Sequence, residues 1–175
     1  VMDKTILIMP ENGLQFDWKA IAANPSAQHE PKIDVNAYKA IYINRIAQAR
    51  ARGYEPVLVS LPIMDENRYF TYVTRGMTMQ QRINVLAWLG GSTERLRNIQ
   101  AMYNLALFRL AAVQCVHILD ITSPMLANPR YQELLQLDGI SLSKQGEELV
   151  NDVCSSSRFL EPFVVAPAAS SPDAA

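Results

Sequence analysis

Three short runs of apolar residues have the length and composition of buried β-strands. They cover residues 4–9 (KTILIM), 55–61 (EPVLVSL) and 116–121 (VHILDI), and a proline closes each of the first two. Between them lie longer segments whose apolar residues recur at steps of three and four, the pattern of an amphipathic helix. Because strand, helix and strand in this order form a right-handed βαβ unit, the pattern predicts an α/β fold with a parallel sheet.

Four helices are predicted from this periodicity and from their end signals. They cover residues 35–52, 78–89, 93–113 and about 143–153. Asp34 or Asn36 can cap the start of the first helix, and Gly53 stands where a glycine commonly ends one. Thr78 and Gln81 are spaced as a capping box.

Two segments without a clear period are predicted to be loops. Residues 14–33 contain two prolines and at most one helical turn around residues 18–22. Residues 63–77 are polar and aromatic, and they follow the carboxyl end of a strand, where parallel sheets bind ligands. They are interpreted either as a ligand-binding loop or as a surface loop packed by its own aromatic residues. After residue 154 the composition shifts to Ser, Pro and Ala. This shift predicts one domain over residues 1–154 and a partly disordered tail over residues 155–175.

Composition and charge exclude several classes of function. The formal net charge is −1, so no electrostatic field draws the chain to nucleic acid or to an anionic membrane. No apolar run approaches the ~20 residues of a membrane span. The two cysteines, Cys115 and Cys154, lack the spacing of a metal site, and there is no glycine-rich phosphate loop. The sequence therefore predicts no cofactor, no metal and no nucleic-acid partner, and it indicates no cellular compartment.

Polar groups at the strand ends are the candidate chemistry. They are Asn12, Ser60 with residues 65–68, and Asp120 with the turn at residues 138–141. Because the carboxyl ends of parallel strands share one edge of a sheet, these groups predict a pocket there. Ser60 is the best-placed hydroxyl nucleophile but lacks the glycines of a nucleophile elbow. His29 is interpreted as a loop residue and His117 as a core or edge residue, so the set has no acid–base–nucleophile combination.

Residues 138–146, DGISLSKQG, resemble the last conserved block of the SGNH (GDSL-like) hydrolases, which typically reads Asp-Gly-Ile-His-(Leu/Pro)-(Ser/Asn)-x-x-Gly. The segments ILDITSPML and EPVLVSLPIMDENRYF also resemble this family, so that the resemblance covers roughly residues 4–153. It implies a three-layer α/β/α sandwich with a flavodoxin-like parallel sheet. It also implies hydrolysis of a small ester, often an acetyl group on a carbohydrate or lipid, without a metal or cofactor.

The resemblance assigns roles to three residues. In the family, a serine from a Gly-Asp-Ser block attacks the carbonyl, a histidine in the last block takes its proton, and an aspartate three residues earlier orients the histidine. Asp138 matches that aspartate, and Asn12 matches an asparagine that helps to hold the oxyanion. Ser141 occupies the histidine position, and a serine hydroxyl cannot act as a base near neutral pH. The nucleophile block is absent, so the chain as given is expected to be inactive.

The resemblance also implies that the first strands of the family sheet are missing. The first of them would pair with residues 5–9, which are therefore expected to form an open apolar edge. The chain is then either the C-terminal part of a longer protein or a piece that borrows a strand from a partner, including a second copy. Residues 159–165 are the alternative cover.

Two other functions remain open at this point. The first is a non-catalytic relative that binds carbohydrate or protein through residues 65–72 and the Asp138 turn. The second is an unrelated flavodoxin-like regulatory domain, which would carry an acidic cluster at the strand ends, where this chain has isolated acids.

Overall fold

The structure, a computed structural model, describes residues 4–157 and the strand at residues 163–165. The strands are β1 (Lys4–Ile8), β2 (Tyr54–Val59), β3 (His117–Leu119) and β4 (Phe163–Val165), and the helices are α1 (Trp18–Ala23), α2 (Val35–Ala51), α3 (Glu66–Val73), α4 (Met79–Trp88), α5 (Glu94–Gln114), α6 (Thr122–Ala127) and α7 (Lys144–Ser156), with a 3-10 turn at Tyr131–Leu134. The fold is α/β, as predicted, and all four predicted helices are present. No helix within the described residues is long and apolar enough to cross a membrane.

The described strands form one parallel sheet in the order β3-β2-β1-β4. Ile6 is opposite Pro56 across the central pair, and Leu58 is opposite Ile118 across the next. The predicted βαβ arrangement is therefore confirmed. The second strand ends before Ser60, whose N–H still donates to the Leu119 carbonyl at 3.0 Å as the chain leaves the sheet.

The expectation that residues 5–9 form an open edge is wrong for this structure. β4 pairs in parallel with β1, with Thr5 opposite Phe163 and Leu7 opposite Val165. Backbone groups that would otherwise be unpaired at the edge are thus bonded by the same chain. A strand from a partner or from a second copy is expected only if β1 is unpaired on one side. Since β1 pairs with β2 and β4, that expectation has no support in this structure. The remainder of the proposed cover, residues 159–162, lies outside the described residues.

Alternating residues of the strands face two different helix layers. Ile8 and Leu58 pack with Tyr42 of α2 and Leu107 of α5 on one face of the sheet. Leu7, Val57 and Val59 pack with Val150 and Cys154 of α7 on the other. The period of two in the strands therefore produces a three-layer sandwich, as predicted. α7 runs to Ser156, slightly past the predicted end of the domain at residue 154.

The prediction of a loop over residues 63–77 is wrong, because α3 forms within it. Asp65 caps this helix, with its Oδ1 accepting from the N–H groups of Asn67 at 3.1 Å and Arg68 at 3.0 Å. Tyr69 is buried against the cluster beneath, and Glu66 is paired with Arg97 at 3.2 Å. The many polar residues of this segment obscure the helical pattern, because the short helix buries only one of its faces.

Candidate functional site

The Asp138 turn is held together by the Asp138 carboxylate. Its Oδ1 accepts from the N–H groups of Ile140 at 3.1 Å and Ser141 at 2.9 Å, and the Ser141 hydroxyl donates to Oδ2 at 2.5 Å. Partial burial acts to raise the pKa of Asp138, but these hydrogen bonds outweigh it and hold the pKa below the ordinary value. The carboxylate is therefore ionised and already engaged by its own turn.

Gly139 seats the turn on the start of α3. Its φ is +76°, and its carbonyl accepts from the Asp65 N–H at 2.9 Å. A Cβ at this position would lie 2.5 Å from the Asp65 carbonyl oxygen and 2.7 Å from the Tyr69 nitrogen. Only glycine can take this backbone conformation at this distance without a shift of the helix. The turn and α3 are thus in direct backbone contact.

The rest of the segment from 138 to 146 leads into α7. Ser143 caps that helix by accepting from the Gly146 N–H at 3.2 Å, and its hydroxyl donates to the Glu133 carbonyl at 2.5 Å. A Cβ on Gly146 would lie 2.2 Å from the Leu134 carbonyl oxygen. Gly139 and Gly146 are therefore required by close backbone packing, and Ser143 is required as a helix cap.

Asn12 lies in the turn that follows β1. Its Oδ1 accepts from the Leu14 N–H at 3.0 Å. Two tyrosines of α2 hold the preceding residue, because the Glu11 N–H donates to the Tyr42 oxygen at 2.7 Å and the Tyr38 hydroxyl donates to the Glu11 carbonyl at 2.9 Å. The position of Asn12 is therefore set by the core of the α2 layer.

Tyr69 lies next to both the loop that contains Asn12 and the Asp138 turn. Its hydroxyl donates to the Leu14 carbonyl at 2.8 Å, and its side chain is buried. Burial is the main cause that raises the pKa of Tyr69 to about 12; the Asn12 side chain lowers this pKa and the Asp138 charge adds to the rise. Tyr69 thus contacts the loop after β1 at Leu14, and its backbone N–H lies beside the Asp138 turn at Gly139. No hydrogen bond joins Asn12 to Asp138 directly within the described residues.

Ser60 and Asp120 form a different group. Ser60 is fully buried, and its Oγ accepts from the N–H groups of Ile121 at 2.9 Å and Thr122 at 3.1 Å. Asp120 accepts from the Ser123 N–H at 3.0 Å. The Ser60 hydroxyl is inaccessible, and its two backbone hydrogen bonds connect the end of β2 to the segment after β3. It is not placed to attack a substrate.

Neither histidine of the chain supplies a base to the Asp138 turn. His29 lies in the loop before α2, where its Nε2 is 2.8 Å from the Asn24 carbonyl oxygen. His117 is the first residue of β3, at the amino end of the sheet, whereas the predicted pocket lies at the carboxyl end. Within the part of the chain that the structure describes, no group of three or more His, Cys, Asp or Glu residues is placed to bind a metal ion.

An open groove of about 750 Å³ runs beside Asp138, between the turn and the end of α3. It is lined by Thr71, Tyr72, Arg75, Gln136, Leu137 and Asp138. The Arg75 guanidinium lies 3.8 Å from the centre of the Tyr72 ring. Tyr72 is 41% exposed and Leu137 is 87% exposed, so the groove presents apolar surface next to a carboxylate. We name this surface the Asp138 groove.

Two solved structures are similar to this chain, both at modest levels. A lipase/acylhydrolase from Enterococcus faecalis has 17% identity and a TM-score of 0.49, with 85% of this chain and 57% of that chain covered. A GDSL-like lipase from Bacteroides thetaiotaomicron has 10% identity and a TM-score of 0.49, with 86% and 60% covered. The chain thus spans less than two thirds of the length of either structure. No protein-family model matches it, and no curated protein does.

The sequence indicates Asp138 and Asn12 as candidate residues but does not indicate Tyr69, Tyr72 or Arg75, which lie near the Asp138 turn. The sequence pattern predicts a loop at Tyr69, although the spacing of Tyr69 and Val73, four residues apart, and the capping residue Asp65 are signals of a helix. Tyr72 lies on the last turn of the same helix, and Arg75 follows the capping residue Thr74; both are exposed. Once α3 is recognised, these side chains are expected beside the Asp138 turn.

Proposed function

We propose that this chain is a hydrolase-related domain that binds its ligand in the Asp138 groove and does not hydrolyse esters with its own side chains. The observation that carries this proposal is the contact of the Ser141 hydroxyl with Asp138 Oδ2 at 2.5 Å. Ser141 occupies the position of the histidine in the family block that the segment resembles. The two histidines of the chain are both elsewhere.

Ester hydrolysis by a triad requires a base whose pKa is near the working pH. A serine hydroxyl does not meet this requirement, and the lowered pKa of Asp138 makes its carboxylate a poor proton acceptor. The aspartate of a triad orients an imidazole and stabilises its positive charge. In this chain the same carboxylate oxygen accepts a hydrogen bond from a neutral hydroxyl, so there is no charge for it to stabilise.

A ligand with several hydroxyl groups fits what remains. An ionised carboxylate has about four lone-pair sites, and the turn uses three of them, which leaves acceptor capacity for a ligand hydroxyl. The exposed faces of Tyr72 and Leu137 offer apolar surface for the C–H groups of a sugar ring. We therefore favour a carbohydrate. The 87% exposure of Leu137 also suits an apolar side chain of a protein segment, which is the second candidate.

The catalytic part of the proposal is tested with 4-nitrophenyl acetate. The wild-type chain, Ser141→His and Ser141→His combined with Asp138→Asn are compared. We expect no turnover above background for the wild type, because the turn has no base. We expect the two variants to have equal rates, because a surface imidazole reacts slowly with this ester whether or not Asp138 is present. Wild-type turnover above background would refute the proposal, and so would a Ser141→His rate that depends on Asp138.

The binding part is tested by calorimetric titration with acetylated xylo-oligosaccharides. Leu137→Ala and Asp138→Asn are each expected to weaken binding by about fivefold or more, on the order of one lost contact. Leu126→Ala is the matched control, because Leu126 is also exposed, at 67%, but does not line the Asp138 groove. Equal affinity of Leu137→Ala and Leu126→Ala would exclude this groove as the binding site.

A further inference from the structure

A second groove, of about 530 Å³, lies on the other side of the α3 C-terminus. Its apolar surface includes Phe16, Trp18 and Met77, and its lining includes the cations Lys19, Lys32 and Arg75. We name it the cation–aromatic groove. The loop before α2 returns to this place because the Lys32 N–H donates to the Gln15 carbonyl at 2.7 Å, which brings Lys32 beside the start of α1.

The aromatic wall of this groove is packed in place. The ring of Phe16 is centred 5.4 Å from Trp18 and 5.2 Å from Trp88, and Trp18 is 6.1 Å from Tyr69, in tilted or edge-on arrangements. Phe16 and Tyr69 are buried in the same core cluster. A surface supported in this way is largely formed before any ligand arrives, which lowers the entropic cost of binding.

The positive charge of the groove is not neutralised by nearby acids. Among the described residues, none of Lys19, Lys32 and Arg75 lies within 4.0 Å of a carboxylate oxygen. Asp17 is the acid of the lining, and its Oδ1 accepts from the Ala20 N–H at 3.0 Å as the cap of α1. Three cations against one engaged acid create a local positive potential on a chain whose formal net charge is −1.

We propose that the cation–aromatic groove binds a small organic anion that joins a flat apolar body to a carboxylate. The flat body packs on Trp18 and Phe16, and the carboxylate faces the ammonium groups of Lys19 and Lys32. A volume of about 530 Å³ lies within the range of small-ligand pockets. Arg75 lines both grooves, but Trp18, Lys19 and Lys32, which carry the proposed contacts, line only this one, so the proposal does not depend on ligand binding in the Asp138 groove.

The ligand class is tested with three probes that separate its two parts. Isothermal titration calorimetry with 2-naphthoate is expected to give saturable binding with a Kd between about 10 µM and 1 mM, as for a ligand of this size. The same ring without the charge, 2-naphthol, is expected to bind about tenfold more weakly or worse. Acetate, the charge without the ring, is expected not to compete. Absence of saturable naphthoate binding, equal binding of naphthol, or competition by acetate at similar concentration would each overturn the proposal.

The position of the site is tested with two charge-reversed double variants. Lys19→Glu combined with Lys32→Glu is expected to weaken naphthoate binding by about tenfold or more, because two attractive charges become repulsive. Arg52→Glu combined with Lys144→Glu makes the same change in net charge at exposed positions outside the groove, and its affinity is expected to stay within about twofold of the wild type. Equal loss in both variants would overturn the assignment.

Tryptophan fluorescence provides an independent measurement of binding. Trp18 lines the groove, and the ring of Trp88, the other tryptophan of the chain, is centred 6.3 Å from the ring of Trp18. Benzoate is a flat carboxylate that does not absorb at the long-wavelength edge where tryptophan can be excited. It is therefore expected to change the intrinsic fluorescence and to displace naphthoate, and failure to do either would overturn the proposal. Asp138→Asn is expected to leave the affinity for naphthoate unchanged. This variant separates a failure of this proposal from a failure of the proposed carbohydrate binding.

Discussion

Replacing Gly139 by alanine tests the contact between the Asp138 turn and α3. Gly139 has a φ of +76°, and a Cβ there would lie 2.5 Å from the Asp65 carbonyl oxygen and 2.7 Å from the Tyr69 nitrogen. Gly76 provides a matched control, because its φ is also +76° but a Cβ there would meet nothing within 4 Å. The two substitutions therefore impose the same positive φ on alanine, and the collision with α3 arises in Gly139→Ala and not in Gly76→Ala.

The magnitudes follow from these two terms. An L-residue at positive φ costs about 1–2 kcal/mol, and this is the whole effect expected for Gly76→Ala. Gly139→Ala adds a collision with two backbone atoms that cannot rotate away. Relieving it moves the turn off α3 and breaks the hydrogen bond from the Asp65 N–H to the Gly139 carbonyl, which adds about 1–3 kcal/mol for a buried polar group left unpaired. We expect a total of about 2–5 kcal/mol for Gly139→Ala.

The measurement is urea unfolding followed by circular dichroism, with thermal unfolding as a second method. For a domain of this size, 1 kcal/mol corresponds to about 2–4 °C in Tm, so the loss in Tm should be several degrees for Gly76→Ala and about twice as large for Gly139→Ala. Equal losses for the two variants would refute the packing of the turn against α3. A loss of about 1 kcal/mol for Gly139→Ala alone would do the same.

Two further predictions concern Ser60 and Asp138. Ser60→Ala is expected to lower the free energy of unfolding by about 2 kcal/mol, because the buried N–H groups of Ile121 and Thr122 lose their acceptor, and urea unfolding that shows no loss would contradict this role. Because hydrogen bonds lower the pKa of Asp138 in the folded chain, its contribution to stability is complete above its ordinary value of 3.8 and is lost as the pH falls through the lowered pKa. The gap in stability between the wild type and Asp138→Asn should therefore narrow below about pH 4, and a constant gap in unfolding measurements between pH 3 and pH 7 would contradict this.

Most of the sheet and the long helices could be predicted from the sequence because they depend on local patterns. α2 buries Tyr38, Tyr42 and Ile46 at steps of four, and such a stripe indicates a helix whatever it packs against. β4 could not be predicted from a local pattern, since its three apolar residues pair with β1 across more than 150 positions of the chain. A strand of that length has no periodicity of its own, and its partner is decided by the edge that β1 leaves open.

The candidate site was predictable only in part, for a related reason. Asp138 and Asn12 could be found from a motif and from their positions after strands. Tyr69, which lies against Leu14 and Gly139, depends on a short helix capped by Asp65, and the cation–aromatic groove depends on a hydrogen bond from the Lys32 N–H to the Gln15 carbonyl. The helix of Tyr69 is too short to show a clear period and is signalled mainly by its capping residue, whereas the contact of Lys32 with Gln15 is made between loop residues, which carry no periodic signal.

The segment from 138 to 146 shows how a catalytic-looking motif can be required by folding alone. Gly139 and Gly146 each face a backbone oxygen within 2.5 Å of a Cβ, and Ser143 caps α7. Asp138 accepts the backbone N–H of residue 141 whatever side chain that residue carries. The side chain at position 141 is therefore the feature of this turn that decides between chemistry and structure. Serine at this position keeps every backbone contact and supplies no base, so the likeness of the other residues is evidence about folding and not about turnover.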